Sequence, residues 1–127
     1  MNTTNKTACA CLCWFLLWTT TAQAQTLQAS WYSQQSLVRE GTRRQNEPQI
    51  TASGEVFKNG AMTCACRMFP LGSILRISYK GKSIVVRVND RIGKRFAKTR
   101  IDLSIGAFKK LADVKLGLIT IQVERIK

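Results

Sequence analysis

With seven acidic side chains against twenty basic ones and no histidine in 127 residues, proton transfer by this chain falls to a few carboxyl groups. Three of them sit where the chain turns or an element begins: Glu55 after Ser53-Gly54, Asp90 after Asn89 at the end of a β-branched run, and Asp102 ahead of Leu103-Ser104. Each also has an ordinary reading. Glu55 can be a solvated residue after a turn, Asp90 can shape a turn as Asx residues do, and Asp102 can cap a helix or accept backbone amides. To deliver a proton near neutral pH, a Glu carboxyl must have its pKa raised from about 4.3 to about 6, roughly 2.3 kcal/mol of differential interaction. Arg87 and Arg91 push the other way by favouring the ionised form, so burial or a second acid has to outweigh them.

Cys64 and Cys66 are the other reactive pair. On one strand their Cα atoms would stand about 6.6 Å apart, near the limit of disulfide geometry, so an unstrained bridge is not expected. Structural zinc takes four Cys or His ligands, and past residue 24 the chain offers these two cysteines and no histidine. No metal or other cofactor is expected, and the default for both thiols is that of small buried hydrophobes. Trp31 and Tyr32 could offer a ring-shaped ligand an aromatic face, although alternation along a strand leaves only one of the two outside.

A chain of this length has room for one domain. Residues 1–24 read as a removable export signal: Lys6 is the only charge, Ala8 to Trp18 is an apolar run, and Ala22-Gln23-Ala24 supplies small residues for cleavage. The run is too short to cross a bilayer, which needs roughly 20 apolar residues in a helix, so no transmembrane segment is expected and residues 25–127 form the mature domain. The formal charge of +13 draws polyanions by long-range attraction. Export argues against nucleic acid, which leaves cell wall or membrane surface.

The elements that must hold the three acids are mostly short strands. Gln28 to Ser33 reads as the first, Met62 to Cys66 as another, and Ile74 to Tyr79 alternates apolar and largely polar residues. Lys80-Gly81-Lys82 makes a hairpin turn into Ser83 to Asn89, and Leu118 to Ile126 closes the chain as a β-branched strand. Gln34 to Gln49 reads as a surface loop or mobile flap, and Ile101-Asp102-Leu103-Ser104 leads into a short helix that Ser104 can cap. Many short strands, one short helix and no repeat indicate a mainly β fold, a small barrel.

Five segments in this order resemble the rare lipoprotein A (RlpA) family of septal lytic transglycosylases: Ala29-Ser30-Trp31-Tyr32, Thr51-Ala52-Ser53-Gly54-Glu55, Met62-Thr63-Cys64-Ala65-Cys66-Arg67 through Pro70-Leu71-Gly72, Val86-Arg87-Val88-Asn89-Asp90-Arg91, and Arg100-Ile101-Asp102-Leu103-Ser104. The resemblance implies a six-stranded double-psi β-barrel that cuts the bond between N-acetylmuramic acid and N-acetylglucosamine in peptidoglycan without water, leaving a 1,6-anhydro sugar. It also implies an exported protein of the periplasm or cell envelope, which we expect to act as a monomer. Carried over by motif, the catalytic acids are Glu55 and Asp90, with Asp102 at a position where related double-psi barrels keep a catalytic or binding aspartate. Trp31, Tyr32, Thr51, Cys66 and Arg91 are the implied substrate contacts. In this reading Glu55 is the acid/base, Asp90 beside it supplies the like-charge push that keeps it protonated, and Asp102 orders the groove.

At Cys66 the family usually carries a histidine, and this departure motivates the second reading: an expansin-like module that holds wall glycan without cleaving it. A third class, a barwin-like defence or toxin-type protein, shares the same barrel.

Overall fold

The computed structural model describes residues 23–41 and 44–127. The expected export signal, residues 1–24, lies outside the described residues except for its last two. Among the described residues no helix is long and apolar enough to cross a membrane.

Six strands close into a barrel: β1 (Gln25–Tyr32), β2 (Thr63–Ala65), β3 (Ile74–Tyr79), β4 (Lys82–Asp90), β5 (Arg100–Ser104) and β6 (Ile119–Arg125), in the order β1-β5-β2-β4-β3-β6. Closure leaves no unpaired sheet edge. The wall mixes directions, since β1 runs parallel to β5 and β2 parallel to β4, while the remaining neighbours are antiparallel. Every strand pays into one core by the period-2 rule. Leu75 and Ile77 of β3, Ile84, Val86 and Val88 of β4, and Ile119, Ile121 and Val123 of β6 all point inward. Val85, inside the same branched run, is 47% exposed because alternation turns it outward.

The hairpin between β3 and β4 is as tight as the sequence implies. Tyr79 pairs with Lys82, so Lys80 and Gly81 alone make the turn, both with positive φ (43° and 79°). That backbone matches the strand twist and favours glycine at its second position.

Two segments depart from expectation. Ile101 to Ser104 leads into the expected helix but is itself part of a strand, β5, hydrogen-bonded to β1 on one side and β2 on the other. Ile101 and Leu103 face the core, whereas Arg100 and Asp102 face out. The helix α2 (Ile105–Leu111) begins directly after it, with the Ser104 hydroxyl accepting from the Ala107 amide at 3.2 Å as expected for a cap. Gly106 of this helix is packed so closely that a Cβ would lie 2.7 Å from the Asn59 carbonyl oxygen, so α2 docks on the 59–60 turn only through a residue without a side chain.

The second departure is the segment after β1. Gln34–Arg39 forms a helix, α1, rather than a loop or flap, so the barrel carries two helices and not one. A capping box starts it: the Ser33 hydroxyl accepts from the Ser36 amide while the Ser36 hydroxyl accepts from the Ser33 amide. Leu37 packs on a second, smaller apolar cluster outside the barrel wall, made of Tyr32, Phe57, Ala65 and Ile92. With so few apolar positions in six residues, α1 has no helical period to read, and it is held by the cap, by Leu37 and by hydrogen bonds that tie Gln34 and Gln35 to Asn59, Phe57 and Gln49.

Candidate active site

The ends of β2 and β4 meet the middle of β5 to build the site. Strand β2 lies between β4 and β5, and its last residue, Ala65, pairs with Asp90 on one side and with Asp102 on the other. A register shift between Cys64 and Ala65 brings Asp90 into line, so two acids flank one methyl group, with backbones about 10 Å apart across three strands. The small residue leaves open space between them. Asp90, Asp102, Tyr32, Ala65, Arg91 and Glu40 line a cleft of about 490 Å³.

Asp102 is mostly covered, and its pKa is raised to about 6, first by burial and secondarily by the negative charges of Glu40 and Asp90. The Ser30 hydroxyl, placed opposite by the parallel register of β1 and β5, donates to Asp102 Oδ1 at 2.9 Å and, with Arg100, limits that rise. Asp90 has a different task. Its Oδ1 accepts from the Ala52 amide at 3.0 Å and from the Arg91 amide at 2.8 Å, and its Oδ2 faces the Tyr32 hydroxyl at 3.5 Å. Burial, with Asp90 adding to it, pushes the Tyr32 hydroxyl pKa far up, so it stays a neutral donor.

Glu55 is elsewhere in both position and chemistry. It lines a neighbouring cleft with Arg87, Lys58 and Asn89. Both guanidinium end nitrogens of Arg87 bond its carboxylate, Nη2 to Oε2 at 2.8 Å and Nη1 to Oε1, and Ser53 Oγ donates to Oε1 at 3.1 Å. The Arg87 contact above all holds the Glu55 pKa down to about 2. The expected push from Asp90 does not act on it: Asp90 turns Oδ1 to the Ala52 amide of the Thr51–Glu55 turn and to the Arg91 amide, and Oδ2 to the Tyr32 hydroxyl. That turn is closed by the Thr51 amide on the Glu55 carbonyl (2.8 Å) and pinned to β4 by the Ser53 amide on the Asn89 carbonyl (3.0 Å). The structure thus brings together Asp90, Asp102, Tyr32 and Arg91 and leaves Glu55 ionised next door.

The expected substrate contacts divide. Cys66 has no exposed surface and belongs to the main core, so its thiol does not reach the cleft. Its carbonyl oxygen accepts from Arg91 Nη1 at 2.6 Å, and the same nitrogen donates to the Phe69 carbonyl at 2.8 Å, which ties two loops together beneath the cleft. Cys64 is also buried, both thiols are free, and burial drives the Cys64 pKa upward. Thr51 is buried, with its hydroxyl against Ser53 Oγ at 3.0 Å. Tyr32 is buried too, since Phe57 stacks on its ring at 4.5 Å and α1 covers that face. Trp31 packs partly on the main core, donates from Nε1 to the Val114 carbonyl at 3.0 Å, and shows an edge to the cleft beside Asp102.

Ser30, Glu40 and Arg100 were not singled out by the sequence. Ser30 acquires meaning only through its pairing with Asp102 across 72 residues of chain, and Glu40 only through a helix that has no readable period.

Comparison with known proteins agrees with this architecture. Residues 24–123 match the family model described as "Lytic transglycolase". The chain is 40% identical over 100 residues to the endolytic peptidoglycan transglycosylase RlpA of Pseudomonas aeruginosa, covering 77% of this chain but 26% of that relative. Among solved structures, the Streptomyces papain inhibitor superposes with a TM-score of 0.63 at 22% identity over 83% of this chain and 96% of its own, and the expansin of Clavibacter michiganensis with 0.62 at 18% over 83% and 51%. Those two likenesses speak for the barrel. With the family model spanning nearly all of residues 25–127, the chain belongs to the lytic transglycolase family of RlpA-like double-psi β-barrels.

Proposed function

We propose that the protein is an exported peptidoglycan lytic transglycosylase of the cell envelope or periplasm, endolytic like its RlpA relatives, with Asp102 as the proton-carrying residue. The observation that carries this is a mostly buried carboxyl with a pKa of about 6 in an open cleft of a lytic transglycolase barrel. In its protonated form Asp102 donates to the oxygen linking N-acetylmuramic acid to N-acetylglucosamine, and the C1–O4 bond breaks. The resulting carboxylate then takes the proton from the muramyl C6 hydroxyl as O6 attacks C1 to close the anhydro ring. One group serves both steps and is regenerated. Asp90 supports Asp102 in the protonated form and offers negative charge to the developing oxocarbenium ion. Glu55, locked to Arg87, fixes the turn that Asp90 grips.

Incubating the mature protein with purified sacculi and looking for 1,6-anhydromuropeptides by mass spectrometry is the direct test. Their absence while the protein still sediments with sacculi would end the enzymatic reading. A second reading, an expansin-like glycan-holding module, is favoured by the buried Cys66 at the family's usual histidine position and by the ionised state of Glu55. Under it, Asp102→Asn leaves every wall-dependent phenotype intact.

A further inference from the structure

Beside the acid cleft, the wall past Asp102 changes sign. Arg95, on the short 3-10 turn Lys94–Phe96, and Arg100 of β5 both place their guanidinium groups on the ring of Phe96, at 4.5 and 4.1 Å from its centroid. Among the described residues neither forms an ion pair, and Arg100 Nε is buried without a hydrogen-bond partner. A guanidinium lying on an aromatic ring keeps its in-plane N–H edges for a planar anion and loses little freedom on binding one. The two arginines share a cleft of about 410 Å³ with Trp31, Ser30, Asp102 and, on the α1 side, Glu40. Arg100 and Asp102 are two apart on one strand and face the same way, so their Cα atoms are about 6.6 Å apart. An anion held at Arg100 therefore sits within one sugar residue of the proton carried by Asp102.

We propose that Arg95 and Arg100, set on Phe96, form a subsite for a carboxylate borne by the glycan itself, on the sugar whose C1 is attacked. This rests on the peptidoglycan reading above. N-acetylmuramic acid carries a lactyl ether on the ring that reacts, and two carboxylates can come from it: the lactyl carboxylate itself where the peptide has been removed, or the carboxylates of an attached stem peptide. N-acetylglucosamine carries neither. The cleft thereby orients the strand, because only the muramyl sugar can place its anion on the arginines, and the bond on its C1 side then faces Asp102. Glu40 on the facing rim opposes the same anion and keeps it on the arginine side.

The test compares affinities of the mature protein for three oligosaccharides of equal length: a chitin oligomer, a peptide-free muramyl glycan and a peptide-bearing strand, read by the fluorescence of Trp31 and by calorimetry. At least one muramyl ligand is expected to bind about tenfold or more tighter than chitin. A preference for the peptide-free strand identifies the lactyl carboxylate, and the reverse identifies the stem peptide. Arg95→Gln, on an exposed turn, is expected to reduce the muramyl advantage to within about threefold of chitin. Arg100→Lys, which keeps the charge but not the planar fork, should lose most of it. Glu40→Gln should tighten muramyl binding two- to threefold. Lys82→Gln makes the same charge change at the opposite end of β4 from Asp90, about 26 Å along that strand, and is the control. Equal affinity for chitin and both muramyl ligands, or a loss with Lys82→Gln as large as with Arg95→Gln, overturns the subsite. Because these are binding measurements, a failed subsite leaves the anhydromuropeptide assay free to stand, and absent products leave an arginine-dependent preference free to stand.

Discussion

Glu55 and Asp102 are both carboxyl groups on the outer side of one barrel, and their surroundings send them in opposite directions. Glu55 is 42% exposed and clasped by a guanidinium, which takes its pKa from 4.5 to about 2. Asp102 is mostly covered, has acids for neighbours and a single hydroxyl for a partner, and rises from 3.8 to about 6. Desolvation disfavours the charged form of a carboxyl and a bound cation favours it; here each effect governs one site. The contrast teaches that the acid beside an arginine is built to stay charged, and that the acid able to exchange a proton near neutral pH is the one the arginines cannot clasp.

The largest effect should come from removing the exchangeable proton. Asp102→Asn is expected to lower anhydromuropeptide formation by 10²–10⁴-fold, the range of general acid–base catalysis. The same substitution should stabilise the fold. Because the folded state of the wild type holds a proton on Asp102 that the unfolded chain has already released, stability falls as pH climbs from about 4 to about 6 and levels off above. The loss amounts to at most about 3 kcal/mol. Urea midpoints measured at pH 4 and pH 7 should converge in the Asn variant, and an unchanged gap would show that the Asp102 carboxyl is not the group responsible. Glu55 works in the other sense: its contribution is present above pH 4.5 and lost as pH falls through about 2, and solvent screening of an exposed pair keeps it small.

Next in size is the release of Glu55. Arg87→Gln should return the Glu55 carboxyl toward its ordinary range, visible as a moved titration in carboxyl-edited NMR. The alkaline limb of the pH–activity profile, on which activity falls as Asp102 releases its proton, should stay near 6, with activity within about threefold of wild type. A limb that follows Glu55 instead would transfer the acid role to it. The smallest effect belongs to Ser30→Ala. Without the hydroxyl that favours the ionised form, the Asp102 pKa moves further up, and activity at pH 7 changes by about two- to threefold while the limb shifts to higher pH. A downward shift would contradict the charge-stabilising role of Ser30.

How much of this could be read from the chain depends on how local the cause is. The strands Ile74–Tyr79 and Lys82–Asp90 announce themselves, because the alternation of Leu75, Ile77 and Ile84, Val86, Val88 and the Lys80-Gly81 turn are all written within a few residues. Strand β5 is less legible, since five residues running straight into a helix carry too short an alternation, and its identity comes from β1 and β2 on either side. Helix α1 rests on a serine cap, one leucine and hydrogen bonds to Asn59, Phe57 and Gln49, more than ten residues away in the chain. For the site, the three acids stand out by type and by segment, yet which is charged does not. Arg87 lies 32 residues from Glu55 and Ser30 lies 72 from Asp102, and those partners decide the two protonation states.

The methyl of Ala65 has a further consequence. As the lone side chain standing between Asp90 and Asp102, it works as a depth gauge for whatever lies across them. Added carbons there would press on the Tyr32 and Ile92 side chains of its buried cluster and narrow the cleft between the two aspartates, without replacing either of them. Under the proposed function, that one small position stands between holding a glycan strand and cutting it.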